Sequence, residues 1–494
     1  MDDNACFDVL VRYAIGYRQL SAGDVDLRTL YSFRERLSRY MQETGVNLLD
    51  QAFAQGTDAH IHAFSRKTGN QRMNSTLLAS NIRRMGRVHL LVTVLQRVHR
   101  MVGEADQRRD AELLAPDLKG HAGQYVYRLK TEDLAEQLQR IGTDMRRLVR
   151  ALEAEDHTHP TYAVPARVGV EHCRVIAERL EGKKGDELSA SRPQSPDDLE
   201  AAYRAKHGQR VPGFSAHLSQ PGDPDNPIQL MTHPHVAPAN TDDPQVLLEA
   251  APRLQARTGL RAAITDGASA NEQPDALLHA LGITHIQTAL RGRTPDEHRL
   301  GLHDFAGACA ADGQPQQMTC PNGHTVEGTH SAEQASFLAR FLQATCQSCP
   351  LRETCPVTPY KQQPDTRLRF DQAALRRAQR RKIAQADCPL GHHLRAAIEA
   401  IVRSVRHPFP TGTLPVRGVF RAAGMVIGSA TVSTMRPMHR YLLAQQKAEW
   451  PGGPKEQSSR QAENALAPAA DMIGSLFRCF FLAPERRSIS CFSW

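Results

Sequence analysis

The sequence predicts an α/β protein: a mixed sheet covered by helices, with a helical block and a cysteine-bearing stretch set into it. Three observations point there. Between residues 205 and 301, short β-like segments and amphipathic helices follow the order β-β-α-β-α-β, which suits a sheet with helical cover. Residues 111–185 read as successive helices, too long a run for one layer of a single α/β sheet. Residues 302–390 break the pattern with CQSCPLRETC before a last periodic helix arrives at 394–406.

Composition bounds the reading. The chain has 494 residues, 23% charged and 40% hydrophobic, with a formal charge of +8, ordinary values for a soluble chain of several domains. It opens MDDNACFDVL, without the apolar segment of a signal peptide, and no run of about 18 apolar residues suggests a membrane span. Ten cysteines in that setting point to reduced thiols or metal ligands in a cytoplasm, not to a disulfide scaffold.

In chain order, residues 7–54 carry helical periodicity, and RMNSTLLASN (72–81) reads as a short break before a long helix starting near Leu78. The helices of 111–185 end with VEHCRVIAERLE. In SPDDLEAAYR (195–204), Ser195 is expected to cap a helix whose first turn holds Asp197 and Asp198. QRVPGFSAHLS and PIQLMTHPHVAP are β-like, and NTDDPQVLLEAAPRLQARTG is a capped helix ending at Gly259. GLRAAITDG is a buried strand running into Asp266, NEQPDALLHALG a helix and ITHIQTALRG a further strand. After Leu443 the chain turns polar and loose, as a disordered linker does.

Two clusters carry chemistry. In LRAAIEAIVRSVRHPF (394–409), helical winding puts Leu394, Ile398, Ile401, Val402 and Val405 on one face and Arg395, Glu399, Arg403 and Arg406 on another. The second stripe fits a solvated face of Arg–Glu pairs, or a metal-binding carboxylate among cations that hold a polyanion. RRAQRRK (376–382), with Arg376, Arg377, Arg380 and Arg381, has the same two readings. Cys346, Cys349 and Cys355, with Cys320 upstream in CPNGH, suit a closed tetrahedral Zn²⁺ site in which His324 is an alternative ligand; unliganded thiols are the other account. A zinc ion would fold a stretch poor in apolar residues.

Together these stretches resemble the transposases of bacterial insertion sequences that carry an Asp-Asp-Glu triad on a ribonuclease H-like fold. The likeness spans about residues 8–445 and is most specific in TLYSFRERL, LASNIRRMGRVHLLVTVLQRVHR, SPDDLEAAYR, VAPANTDD, CQSCPLRETC and LRAAIEAIVRSVRHPFPTGTLPVRGVFR. It implies a ribonuclease H-like mixed sheet split by a helical block and a zinc-binding insert, with a helical amino-terminal domain. The implied division is 1–70 for that domain, shortened relative to the family, 71–101 for the first core segment and 102–204 for the helical insert. The core sheet then takes 205–301, the cysteine insert 302–390, the Glu helix and its sequel 391–445, and a disordered tail 446–494.

The resemblance makes Asp266 the second metal-binding carboxylate and Glu399 the third, holding Mg²⁺ or Mn²⁺. Arg395 and Arg406 take the family's basic positions, and the arginines at 376, 377, 380, 381 and 403 would also meet DNA. Two such ions about 3.5–4 Å apart stabilise the attacking and leaving oxygens of an in-line displacement at phosphorus. The implied partners are double-stranded DNA at terminal inverted repeats and a second copy of the chain, in a bacterial cytoplasm at the nucleoid. The chain departs from the pattern where it matters most. Asn74 stands where the first carboxylate belongs, Gly-Ala-Ser follows Asp266, and His392 occupies a tyrosine position. Asp197 or Asp198 is the competing source of the missing carboxylate. The expected activity is therefore impaired, and the alternatives are a catalytically inactive DNA-binding remnant and a zinc-ribbon regulator unrelated to transposition.

Overall fold

The computed structural model describes residues 26–449, apart from 157–159, 177–178, 207, 268, 270, 289–295, 297, 310–314, 332–335 and 386–390. Helices α1 (Leu27–Thr44) and α2 (Leu48–Ala63) open the described chain. Each starts where a short polar side chain satisfies an orphan amide: Asp26 accepts from Arg28 N and Asn47 from Leu49 N. The helices expected within residues 7–25 lie outside the described residues, as does nearly all of the expected tail. The 446–449 portion of that tail is helical.

The first correction is β1 (Asn70–Ala79), a central strand where a break before a helix is expected. Its polar sequence hides it, because tertiary partners satisfy the polar groups. Gln71 Oε1 accepts from Thr232 Oγ1 at 2.8 Å, and Arg72 Nη2 donates to the Pro221 oxygen at 3.0 Å. The helix expected from Leu78 starts at Arg87. It is α3 (Arg87–Met101), and it packs with α4 (Glu104–Leu118), α5 (Ala122–Arg128), α6 (Leu134–Asp156) and α7 (Pro160–His172). Leu91, Leu95, Ile141, Met145 and Val168 give this block its own core. VEHCRVIAERLE is not one helix either. After His172 the chain forms a hairpin, β2 (Cys173–Ile176) and β3 (Arg179–Gly182), and Arg87 donates to the oxygens of His172 and Lys183 on either side of it.

No helix starts at Ser195. Ser195 Oγ accepts from Asp197 N, and Asp198 Oδ1 accepts from the amides of Glu200 and Ala201, a side-chain turn that releases the chain into β4 (Ala202–Lys206). The next elements follow the expected order: β5 (Gln209–Pro221), β6 (His233–Pro238), α8 (Asp243–Thr258), β7 (Ala262–Thr265), α9 (Glu272–Ala280) and β8 (Thr284–Gln287). The core sheet runs β4-β5-β1-β7-β8, with β6 also on β5; β1 is antiparallel to β5 and parallel to β7. Gly213 on β5 is required by close approach, since a Cβ there would sit 2.2 Å from the Leu78 oxygen.

The cysteine-bearing stretch forms a second six-stranded sheet, antiparallel throughout. Its strands are β9 (Ala306–Cys309), β10 (Pro315–Thr319), β11 (Thr325–Ser331), β12 (Ser336–Leu342), β13 (Thr358–Pro359) and β14 (Asp365–Phe370), with the short α10 (Gln343–Gln347) after β12. The expectation of a stretch too poor in apolar residues to fold is corrected here: Phe305, Phe337, Phe341, Leu368 and Phe370 form a buried core. Three helices follow among the described residues, α11 (Gln372–Gln385), α12 (Gly391–Arg406) and α13 (Val419–Glu449). On one face of the core sheet Met73 meets Leu247, Leu254 and Leu278 of α8 and α9. Elsewhere on the sheet Leu78 and Phe214 meet Ile401, Val405 and Val426 of α12 and α13.

Candidate active site

Strands β1 and β7 bring two of the predicted residues together. Their parallel register pairs Arg72 with Ile264, and continuing it by two residues sets Asn74 beside Asp266. Both line one cavity of about 30 Å³, shared with His217, Ser219, His233, Asp243 and Ser269, a volume that admits about one water-sized species. Asn74 is half-buried and Asp266 exposed. The Asn74 side-chain oxygen accepts from Ser75 N at 2.8 Å, so its one acceptor group is turned to its own backbone.

Glu399 sits on the exposed side of α12, as the helical winding predicts, while Ile401 and Val405 are buried over β1 and Val402 partly so. Glu399 is not among the residues lining the Asn74–Asp266 cavity. Arg403 and Arg406 are exposed on the same helix, and the side chains of Arg395 and His392 lie outside the described residues.

Asp197 and Asp198, the competing carboxylates, are committed elsewhere. Asp197 pairs with Arg97 at 2.8 Å and Arg417 at 3.5 Å. Asp198 is buried, and its Oδ2 accepts from Ser80 Oγ and from Gly418 N at 3.0 Å, bolting the end of β1 to the start of α13. Neither lines the cavity.

The RRAQRRK helix is divided. Arg377 is exposed, Arg376 and Arg381 are half-buried, and Arg380 turns inward to Asp275 of α9, with Nη1 2.9 Å from Oδ2 and 3.1 Å from Oδ1. The pair continues inward. Asp275 Oδ1 accepts from His285 Nδ1 at 3.0 Å, His285 Nε2 lies 2.9 Å from Thr265 Oγ1, and Thr265 Oγ1 donates to the Asp266 backbone oxygen at 3.0 Å. A chain of polar groups thus runs from α11 to Thr265, the residue before Asp266.

Sequence reasoning missed the histidines. His233 and His235, two apart on β6, stack with centroids 5.9 Å apart, and His217 pairs with His235 across the β5–β6 register. The alternating His-Pro-His of a strand was the available signal. Burial pushes His217 and His233 down to about 3 and lowers His235 as well.

Cys320, Cys346, Cys349 and Cys355 line one cavity of about 170 Å³ with His324, though as many as 35 positions (355 − 320) separate them in sequence. Burial raises the Cys355 thiol, and the other three thiols add to that. Among the described residues no group of three or more His, Cys, Asp or Glu is arranged to hold a metal ion. The four thiols share a cavity, but the ligand set expected for zinc is not formed among the described residues.

An amide and a carboxylate that line one small cavity on a mixed, helix-covered sheet define an α/β protein with an acidic residue at the end of a strand. Residues 319–432 match a family model described as a transposase DDE domain, which supports a DDE transposase, an enzyme class that acts on DNA and generally uses divalent metals such as Mg²⁺. That segment holds the cysteines, α11, α12 with Glu399, and part of α13, and it contains neither Asn74 nor Asp266. The chain matches none of the curated proteins. Among the described residues no helix is long and apolar enough to cross a membrane.

Proposed function

We propose that the chain is the transposase of a bacterial insertion sequence, working as a homodimer on the terminal inverted repeats of its element in the nucleoid. Its core would be ribonuclease H-like, divided as the resemblance implies, with the helical block and cysteine insert between core segments. The observation that carries this reading is the meeting of Asn74 with Asp266 in one cavity, on a strand over which α12 packs. Asp266 and Glu399 would hold Mg²⁺ or Mn²⁺. When bound, the metal supplies stabilisation of charge on the phosphoryl and leaving oxygens. Exposed Arg377, Arg403 and Arg406 would meet DNA phosphates, while Arg376, Arg380 and Arg381 would contribute less because burial or pairing engages them. A structural Zn²⁺ at the four thiols belongs to the same reading, supported by their shared cavity. About one zinc per chain is expected; no zinc, with all four thiols alkylated in the native state, removes it.

Catalysis by this copy would be impaired, because an amide replaces the first carboxylate. Cleavage of DNA carrying the element's ends is expected to rise strongly in Asn74→Asp and to vanish again on adding Asp266→Ala or Glu399→Ala. A revertant that binds end DNA without cutting it would favour the second reading, a catalytically inactive DNA-binding remnant. The engagement of the Asn74 oxygen with Ser75 N favours that reading.

A further inference from the structure

Asn74 leaves a site of this class one negative charge short, and the structure offers a carboxylate that the sequence did not single out. Asp243 opens α8, and its side chain is only 10% exposed. It lines the same small cavity as Asn74 and Asp266. Its Oδ1 makes no hydrogen bond: the nearest described cation-forming group, His217 Nδ1, is 3.4 Å away, beyond the ordinary hydrogen-bond range. The helix start offers a favourable dipole to this carboxylate, and that alone does not satisfy a lone pair. A buried carboxylate oxygen without a partner is costly, and a cation beside it offsets that cost.

We propose that Asp243 is a metal-binding residue of this site and supplies the negative charge that Asn74 lacks. Asp243 and Asp266 line the same space of about 30 Å³, room for one small ion, and two carboxylates suit a hard divalent cation. The inference rests on the proposed transposase site. It differs from the earlier candidates in that Asp197 and Asp198 are held by Arg97, Ser80 and Gly418 through hydrogen bonds, whereas Asp243 Oδ1 makes none and has His217 Nδ1 3.4 Å away.

The test is Mn²⁺ titration of the full chain without DNA, followed by electron paramagnetic resonance. Asp243→Asn keeps the size and one side-chain oxygen, so the fold should survive, as thermal melting would verify. Mn²⁺ affinity is expected to fall at least about tenfold in Asp243→Asn, to fall likewise in Asp266→Asn, and to stay within twofold in Asp197→Asn. In an Asn74→Asp background the same Asp243→Asn change should cost less, because the first carboxylate is restored. Unchanged affinity in Asp243→Asn beside a loss in Asp266→Asn overturns the proposal and leaves the metal site standing. No Mn²⁺ binding by the unaltered chain also overturns it, and binding regained in Asn74→Asp would then show that the site reading survives alone.

Discussion

The core sheet buries Gln71, Arg72, Thr76, His217 and Ser219 among its strands, whereas the insert sheet closes over Phe305, Phe337, Phe341 and Phe370. Both have six strands, yet their interiors follow different rules. The insert excludes water with aromatic side chains, and the stacked pair Phe337–Phe370, with centroids 5.8 Å apart, is typical of such packing. Several buried polar groups of the core have partners: Gln71 has Thr232, Arg72 Nη2 has Pro221, and Asp275 has both Arg380 and His285, whereas Arg72 Nε and Gln287 Nε2 make no hydrogen bond. Asp243 Oδ1 also lacks a hydrogen bond, and what sets it apart is its place on the cavity that Asn74 and Asp266 line.

Helix α11 ties the two sheets together. Leu375 packs in the insert's core, and one turn or so further on Arg380 reaches Asp275 of the core domain. Cutting that tie gives the largest expected effect. Arg380→Ala leaves Asp275 buried with one partner fewer and should cost about 3–5 kcal/mol in denaturant unfolding. Amide protection should drop in both sheets. A loss confined to the insert would show that the two sheets are held together by other contacts.

Acid should separate the sheets next. His217 and His233 have folded values near 3 and an ordinary value of 6.5 when unfolded. Between those values the unfolded chain binds more protons, so stability is full above about pH 6.5 and falls as pH drops toward 3. The loss should reach the order of 2 kcal/mol and appear first in the strands β5 and β6, followed by segment-resolved hydrogen exchange at pH 7 and pH 5. The insert, whose described core is apolar, should keep its protection. Simultaneous loss in both sheets would mean that they respond to acid as one unit.

The smallest stability effect belongs to the exposed cations of α11. Arg377→Gln with Lys382→Gln should change stability by less than about 0.5 kcal/mol. The same pair should flatten the salt dependence of DNA binding by roughly 0.9 for each phosphate no longer neutralised. An unchanged slope would assign both to a solvated face, and a large stability loss would mean that they share the buried role of Arg380.

Elements whose signals are local were legible in the residues alone. The α8–β7–α9–β8 order, the stop at Gly259 with φ 63, and the buried stripe of Ile401 and Val405 on α12 all follow from periodicity and capping, which neighbours three or four residues apart enforce. Asp266, and Asn74 as a departure, were singled out only by the resemblance to insertion-sequence transposases and not by periodicity or spacing. What depends on distant partners had to wait for the folded chain. β1 looked like a break because its polar side chains are satisfied by residues about 150 positions away. The direction of Arg380 was set by Asp275, 105 positions earlier in the chain, while the grouping of the four cysteines was already expected from their spacing and the insert's strands supply the cavity they share. Asp243 was not singled out in the sequence, where it falls within the stretch read as a capped helix. Only the approach of α8 to β1 and β7 buries it beside Asn74 and Asp266, where its charge has to be answered.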